Sequence, residues 1–219
     1  MKSCKNTFVG FFVIISFMFC ILSTTRAIVR ANDNIVYQKS EYIEIIDSVA
    51  IKNSIDMELL KINIISEVDT YIDRVAPSNK IDPKILFELC DTYNVDIRFV
   101  IAQGQIESHF ATKGTAKKTN SIFNVGAYDG HSAAKQNRNG FGFSNPNESI
   151  EPYLILLTNH YLVDGKTEFD MMNNYVNYLG MRYASNLQYE KMLKSVFNRI
   201  NTDTNLNILL KEYKEIKLV

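Results

Sequence analysis

One carboxylate in this chain stands where carboxylates are rarely placed. Glu107 lies at the end of the apolar stretch Phe99-Val100-Ile101-Ala102-Gln103-Gly104-Gln105-Ile106-Glu107-Ser108-His109-Phe110. If the stretch is a helix, Glu107 sits at its C-terminal end. There the helix dipole and desolvation both disfavour the charged form and raise the pKa. A carboxyl group held protonated near neutral pH is what a general acid needs. The same pattern also suits an ordinary exposed helix-end Glu. Three cysteines, Cys4, Cys20 and Cys90, form no CxxC pair and no Cys/His cluster, so no structural metal site and no cofactor is expected. Twenty-four basic and 24 acidic residues give a net charge of +0, which offers no reason to expect a nucleic-acid partner.

The elements that must position Glu107 read as helices. Apolar residues at Met57, Leu60, Ile64, Ile65, Val68 and Ile72 recur at helical spacing, which predicts a helix over residues 54–75 with Ser54 at its start and Pro77 beyond its end. Asp82-Pro83 opens a second helix to about Tyr93, with the Asp accepting from free N–H groups and the Pro at the first helical position. Asp96 caps a third, residues 97–109, which carries Glu107. Helical patterns return over residues 149–162, 168–179, 187–200 and 205–216. Between Ala111 and Asn147 the chain is rich in Gly, Asn, Ser and Lys, which predicts a loop-rich lobe whose pieces 122–128 and 140–143 are short strands or irregular loops. Long loops inside a compact domain are often functional. Gly104 is expected to let another backbone approach the third helix.

The N-terminus has its own logic. Lys2 and Lys5 precede an apolar run over residues 8–22, the pattern of a secretory signal peptide. That run is short for a ~30 Å hydrocarbon core. Cleavage near Ala31 is expected, with an uncleaved anchor as the alternative and the only membrane contact. The chain therefore divides into 1–31, signal or anchor; 32–80, spacer and N-terminal helix; 81–202, the main domain; and 203–219, a C-terminal helix. The expected location is periplasmic, extracellular or wall-associated.

Four elements resemble the bacterial N-acetylglucosaminidases of glycoside hydrolase family 73, within the lysozyme-like superfamily. They are Ala102-Gln103-Gly104-Gln105-Ile106-Glu107-Ser108, Asn120-Ser121-Ile122-Phe123-Asn124-Val125-Gly126, Asn147-Glu148-Ser149-Ile150-Glu151-Pro152-Tyr153, and Gly180-Met181-Arg182-Tyr183-Ala184 continuing through Tyr189 to Leu193. Their order spans roughly residues 82–200. The resemblance implies a mainly α, lysozyme-like domain with a loop-rich lobe. It implies a peptidoglycan hydrolase, with glycan strands as partner, in which Glu107 is the acid that protonates the glycosidic oxygen. Tyr183 matches an active-site tyrosine, and Asn120 and Phe123 match residues of the groove wall. A turn Asn, a buried Phe and a core Tyr are the structural alternatives.

The sequence departs from the family at His109-Phe110, where glycine-rich aromatic text is usual. His109 is a substrate contact, a neighbour of Glu107, or a surface residue. Glycosidases generally use a second carboxylate, about 5–5.5 Å away for retention or about 6.5–9.5 Å for inversion. Asp129 is the only acid between Glu107 and Glu148 and so the candidate base, although Asp129-Gly130 also suits a turn. The substrate's N-acetyl group is another source of a nucleophile. Tyr128, with Phe141 and Phe143, offers aromatic faces to sugar rings in a chain with 12 Tyr, 13 Phe and no Trp. Two other readings stay open: a lytic transglycosylase, and a catalytically silent wall-binding or assembly protein on the same fold.

Overall fold

The computed structural model describes residues 36–39, 43, 45, 46, 48, 50–124 and 142–218. They belong to two compact units, residues 1–56 and 57–219. In the first unit every described residue is helical. Ser54 is therefore not a helix start, because residues 50–53 before it are already helical. No Gly or Pro occurs between residues 36 and 76, so nothing in the chain breaks a helix there, and one interior Ser costs little. The predicted signal segment lies outside the described residues. Among the described residues no helix is long and apolar enough to cross a membrane.

The second unit is built from α1 (residues 57–75), α2 (Pro83–Thr92), α3 (Ile97–Ser108), α4 (Ala116–Thr119), a 3-10 turn (Pro146–Ser149), α5 (Ile150–His160), α6 (Glu168–Asn173), α7 (Tyr189–Asp203) and α8 (Leu206–Lys217). Its architecture is mainly α and lysozyme-like. The β-bridge pairing among the described residues is one isolated antiparallel bridge, Val176 to Arg182. The described ends of the expected short strands, residues 122–124 and 142–143, are irregular.

The centre of the unit is α3. Phe99, Ile101, Ala102 and Gln103 are fully buried, and Val100, Gly104 and Gln105 nearly so, because α2 and α7 both pack against this helix. Such all-round burial explains why its residues are apolar on every face rather than along one stripe. From α1, the Tyr71 hydroxyl donates to Gln105 Oε1 at 2.8 Å, while Leu60, Ile64, Val68 and Ile72 fill the core beside it.

Caps fix where the helices begin. Asp82 Oδ1 accepts from the N–H groups of Lys84 (2.9 Å) and Ile85 (3.3 Å), with Pro83 at the first helical position. Asp96 caps α3 by accepting from Arg98 N at 2.9 Å. The Arg98 guanidinium also holds Asp96 at 2.6 Å, donates to Asn201 and Asn207 at 2.9 Å each, and lies 5.0 Å from the centre of the Phe197 ring. One side chain thus ties the start of α3 to α7 and α8, which sets the far end of the helix that carries Glu107.

The helix expected over residues 168–179 ends early, at Asn173. Beyond it Asn174 is extended, and Asn177 Oδ1 accepts from the N–H groups of Leu179 and Met181 at 2.9 Å each. Gly180 turns the chain at φ +77, and Val176 pairs with Arg182. Asparagine side chains that bond nearby backbone compete with the helix, and the two bonds that Asn177 accepts outweigh the apolar period of this segment. The reversal buries Tyr175 and carries Tyr183 back beside it.

A clasp closes the neck of the loop-rich region. Phe143 N donates to Thr119 O at 2.8 Å, and the Asn120 amide donates to Phe143 O at 2.8 Å and Ser144 O at 3.3 Å. A Cβ on Gly142 would come within 2.6 Å of Thr119 O, so this approach of two backbones requires glycine. Gly104 works differently from expectation. What lies over it is the side chains of Ile122 and Phe110, at 3.0 and 3.3 Å from a built Cβ, rather than another backbone.

Candidate active site

Glu107 occupies the last turn of α3, half-buried, and its carboxylate is held from two other parts of the chain. The Tyr189 hydroxyl, at the start of α7, donates to Oε1 at 2.5 Å. The Asn124 amide donates to Oε2 at 3.3 Å and lies 3.4 Å from the Glu107 carbonyl. Burial pushes the carboxyl pKa above its usual value, while the bonds from Tyr189 and Asn124 pull it back down. The net direction is upward, so the protonated form persists to higher pH than in an ordinary glutamate.

The turn that follows fixes the helix end. His109, Phe110 and Ala111 have φ of 48, 57 and 61, three left-handed residues in succession and none of them glycine. Each such residue costs roughly 1–2 kcal/mol. Surrounding bonds hold them: His109 N donates to Gln105 O, Phe110 N to Gly104 O, and Lys113 N to Ser108 O. The buried Ser108 hydroxyl accepts from Ala111 N and donates to Ile122 O, both at 2.7 Å. Ile122 N in turn donates to Ser149 Oγ at 3.0 Å. Ser108 and Ser149 therefore pin both polar groups of Ile122, and Asn124 follows two residues later at φ 52, aimed back at Glu107.

Tyrosines wall the site behind the carboxylate. Tyr183 stacks on Tyr175 with centroids 4.5 Å apart and planes 9° apart, and its ring lies 5.6 Å from that of Tyr189. The Tyr183 hydroxyl points toward Phe123 O at 3.4 Å. Burial, then the charge of Glu107, raise the Tyr183 pKa, and burial foremost raises those of Tyr175 and Tyr189, so these hydroxyls stay protonated donors. An apolar cavity of about 380 Å³ lies elsewhere, between α2 and α8, with Phe87, Cys90, Leu210 and Tyr213 among its walls.

The residues expected from sequence fall into different places. Glu107 and Tyr183 come together in this site, Tyr183 through Tyr189. The Phe123 ring is buried against Tyr153, stacked at 3.8 Å, so its carbonyl rather than its ring meets Tyr183. Asn120 spends its amide on the clasp. Among the described residues His109 makes no hydrogen bond to Glu107; burial and then the charge of Lys113 lower its pKa and favour the neutral imidazole. Tyr128 and Asp129 lie outside the described residues. Among the described residues no cluster of His, Cys, Asp or Glu is arranged to hold a metal ion.

Two direct partners of Glu107 were not singled out by sequence: Tyr189 and Asn124. Both stand inside the quoted elements, as the next tyrosine after Tyr183 and as the residue after Phe123. Replacing Tyr189 by Phe removes a bond that favours the carboxylate, so the Glu107 midpoint moves further up. Titration of the Glu107 side-chain carboxyl by carbon NMR in wild type and Tyr189→Phe reads that shift; a midpoint that falls or stays put contradicts the geometry.

No curated protein matches the chain. The family model described as Glucosaminidase, mannosyl-glycoprotein endo-beta-N-acetylglucosaminidase, matches residues 84–202, more than half of the chain. That match runs from α2 to α7 and takes in Glu107, Asn124, Tyr183 and Tyr189, so the chain belongs to the glucosaminidase family of glycoside hydrolases.

Proposed function

We propose that the protein is a peptidoglycan hydrolase of the endo-β-N-acetylglucosaminidase type, with Glu107 as general acid. One observation carries the reading: a half-buried carboxyl with a raised pKa, gripped by Tyr189 and Asn124 inside a glucosaminidase-family domain. Protonated, Glu107 delivers its proton to the oxygen of a β-1,4 bond after N-acetylglucosamine, while the developing positive charge spreads over the sugar ring. The Tyr189 hydroxyl fixes the carboxyl rotamer, and after proton transfer it stabilises the carboxylate that remains. Tyr183 holds the sugar at the reacting centre. Asp129, or the substrate's own N-acetyl group, supplies the second function of the displacement. The basic-then-apolar N-terminus delivers the domain to the wall outside the cytoplasm. Exposed Lys113, Lys117 and Lys118 beside the site favour anionic wall polymers and stem-peptide carboxylates.

Digestion of purified peptidoglycan by the protein, with product masses read by mass spectrometry, tests the reading. Fragments with a reducing N-acetylglucosamine end are expected. Anhydro-muramic ends would transfer the case to a lytic transglycosylase. Retention on the sacculus without products would leave a wall-binding protein.

A further inference from the structure

Glu107 is the second of two polar side chains that α3 presents on one face. Gln103 lies four residues earlier, one helical turn away, and points the same way. It is fully buried. A buried amide in the centre of an apolar helix calls for particular partners, because each unpaired polar group costs about 1–3 kcal/mol. Here the partners are tyrosines. Gln103 Oε1 accepts from the Tyr153 hydroxyl at 2.5 Å and from the Tyr175 hydroxyl at 2.9 Å.

Those two tyrosines reach the amide from different elements. Tyr153 comes from α5, and its ring stacks on Phe123, whose carbonyl faces the Tyr183 hydroxyl. Tyr175 comes from the reversal after α6; its ring is pressed edge-on by Phe99 and Tyr161 and lies parallel to Tyr183. From Tyr183 the contact passes to Tyr189, and from Tyr189 to Glu107. The amide nitrogen of Gln103 is buried and makes no hydrogen bond. So the oxygen of one amide fastens the base of the stack, holding Tyr153 and Tyr175 together.

We infer that Gln103 is a positioning residue that sets the tyrosine stack, and through Tyr183 and Tyr189 the placement of the Glu107 carboxyl. The inference rests on the reading of Glu107 as the acid. Glutamine suits the task because a neutral amide accepts two hydroxyls and still offers a donor without placing a charge beside Glu107. The titratable groups that feel Glu107 are Tyr175, Tyr183 and Tyr189, and no charged side chain among the described residues meets its carboxyl.

The test uses Gln103→Met, which keeps length and volume and removes the amide, and Tyr175→Phe, which keeps the ring and removes one hydroxyl bonded to it. If Gln103 positions the stack, losing it loosens the bond from Tyr189. The Glu107 midpoint, read by carbon NMR of its carboxyl in the full chain, then rises in Gln103→Met as it does in Tyr189→Phe. The double variant Gln103→Met with Tyr189→Phe shows no further rise, because both changes remove the same bond. On peptidoglycan, kcat falls roughly ten- to hundredfold, the scale of a small misplacement of a reacting group, while KM stays close to wild type. Tyr175→Phe gives a smaller shift of the same sign and keeps the test open if Gln103→Met does not fold. An unmoved midpoint in a folded variant, or shifts that simply add to that of Tyr189→Phe, overturns the inference. The NMR readout requires no turnover. Wild-type protein without glycan cleavage would count against Glu107 as the acid and leave this coupling to be judged by the midpoints alone.

Discussion

Glu107→Gln lowers glycan cleavage by about 10²–10⁴-fold, the range that a positioned general acid contributes. Glutamine preserves the shape of the side chain and can still accept the Tyr189 hydroxyl, so the fold is kept while the transferable proton is gone. Stability moves the other way. The folded Glu107 pKa is raised above its unfolded value, so the native state binds the proton more tightly. The wild type is therefore penalised progressively as pH rises from the unfolded pKa through the raised folded one, and the penalty is complete above it. A neutral Gln escapes it. The variant is expected to melt at or above the wild-type temperature at neutral pH, with its relative advantage shrinking on acidification. Melting curves across pH, paired with product assays, check both halves. A variant that unfolds easily would make Glu107 a structural residue, and one that digests normally would remove it from the chemistry.

Ser108→Ala has the largest expected effect on the fold. The hydroxyl spends its donor on Ile122 O and accepts from Ala111 N, all in buried surroundings. Alanine leaves an N–H and a C=O unpaired and releases the brace on three left-handed residues. At about 1–3 kcal/mol for each of the two unpaired groups the loss is roughly 2–6 kcal/mol. For a chain of this size that lowers the melting midpoint by about 4–24 °C. Activity per folded molecule should fall much less than in Glu107→Gln, since no hydrogen of the Ser108 hydroxyl is left to face a substrate. Calorimetry and an assay below the new midpoint separate the two; a loss of activity as deep as that of Glu107→Gln, in protein that melts like wild type, would place Ser108 among the reacting groups.

The sequence made the helices legible because burial is periodic. The stripe in α1, the caps at Asp82 and Asp96, and the all-round apolar α3 follow from local rules that tertiary structure did not override. The segment after Asn173 broke the rule: its apolar residues keep a helical period, but Asn177 folds the backbone onto its own side chain. The site was half legible. A lone carboxylate ending an apolar helix is a local oddity and can be seen, and so was Glu107. Its partners cannot be seen in that way. Asn124 and Tyr189 meet Glu107 from 17 and 82 residues away, and a tyrosine at position 189 looks the same in a plain core as in a site until the chain is folded. Gln103 is the hardest case, because a polar residue in an apolar helix gives no sign of which hydroxyls it serves.

The clasp at Thr119, Asn120, Gly142 and Phe143 has a consequence for how such a domain can diversify. The two ends of the intervening chain are already fastened together by bonds that belong to the helical body. Whatever lies between them adds closure entropy only logarithmically, about 0.6 kcal/mol for each doubling of length. The neck therefore works as a cassette holder. Segments of different length and character can be exchanged between residues 124 and 142 with little penalty to the body, so substrate preference can drift while Glu107 and its partners Asn124 and Tyr189 stay where they are.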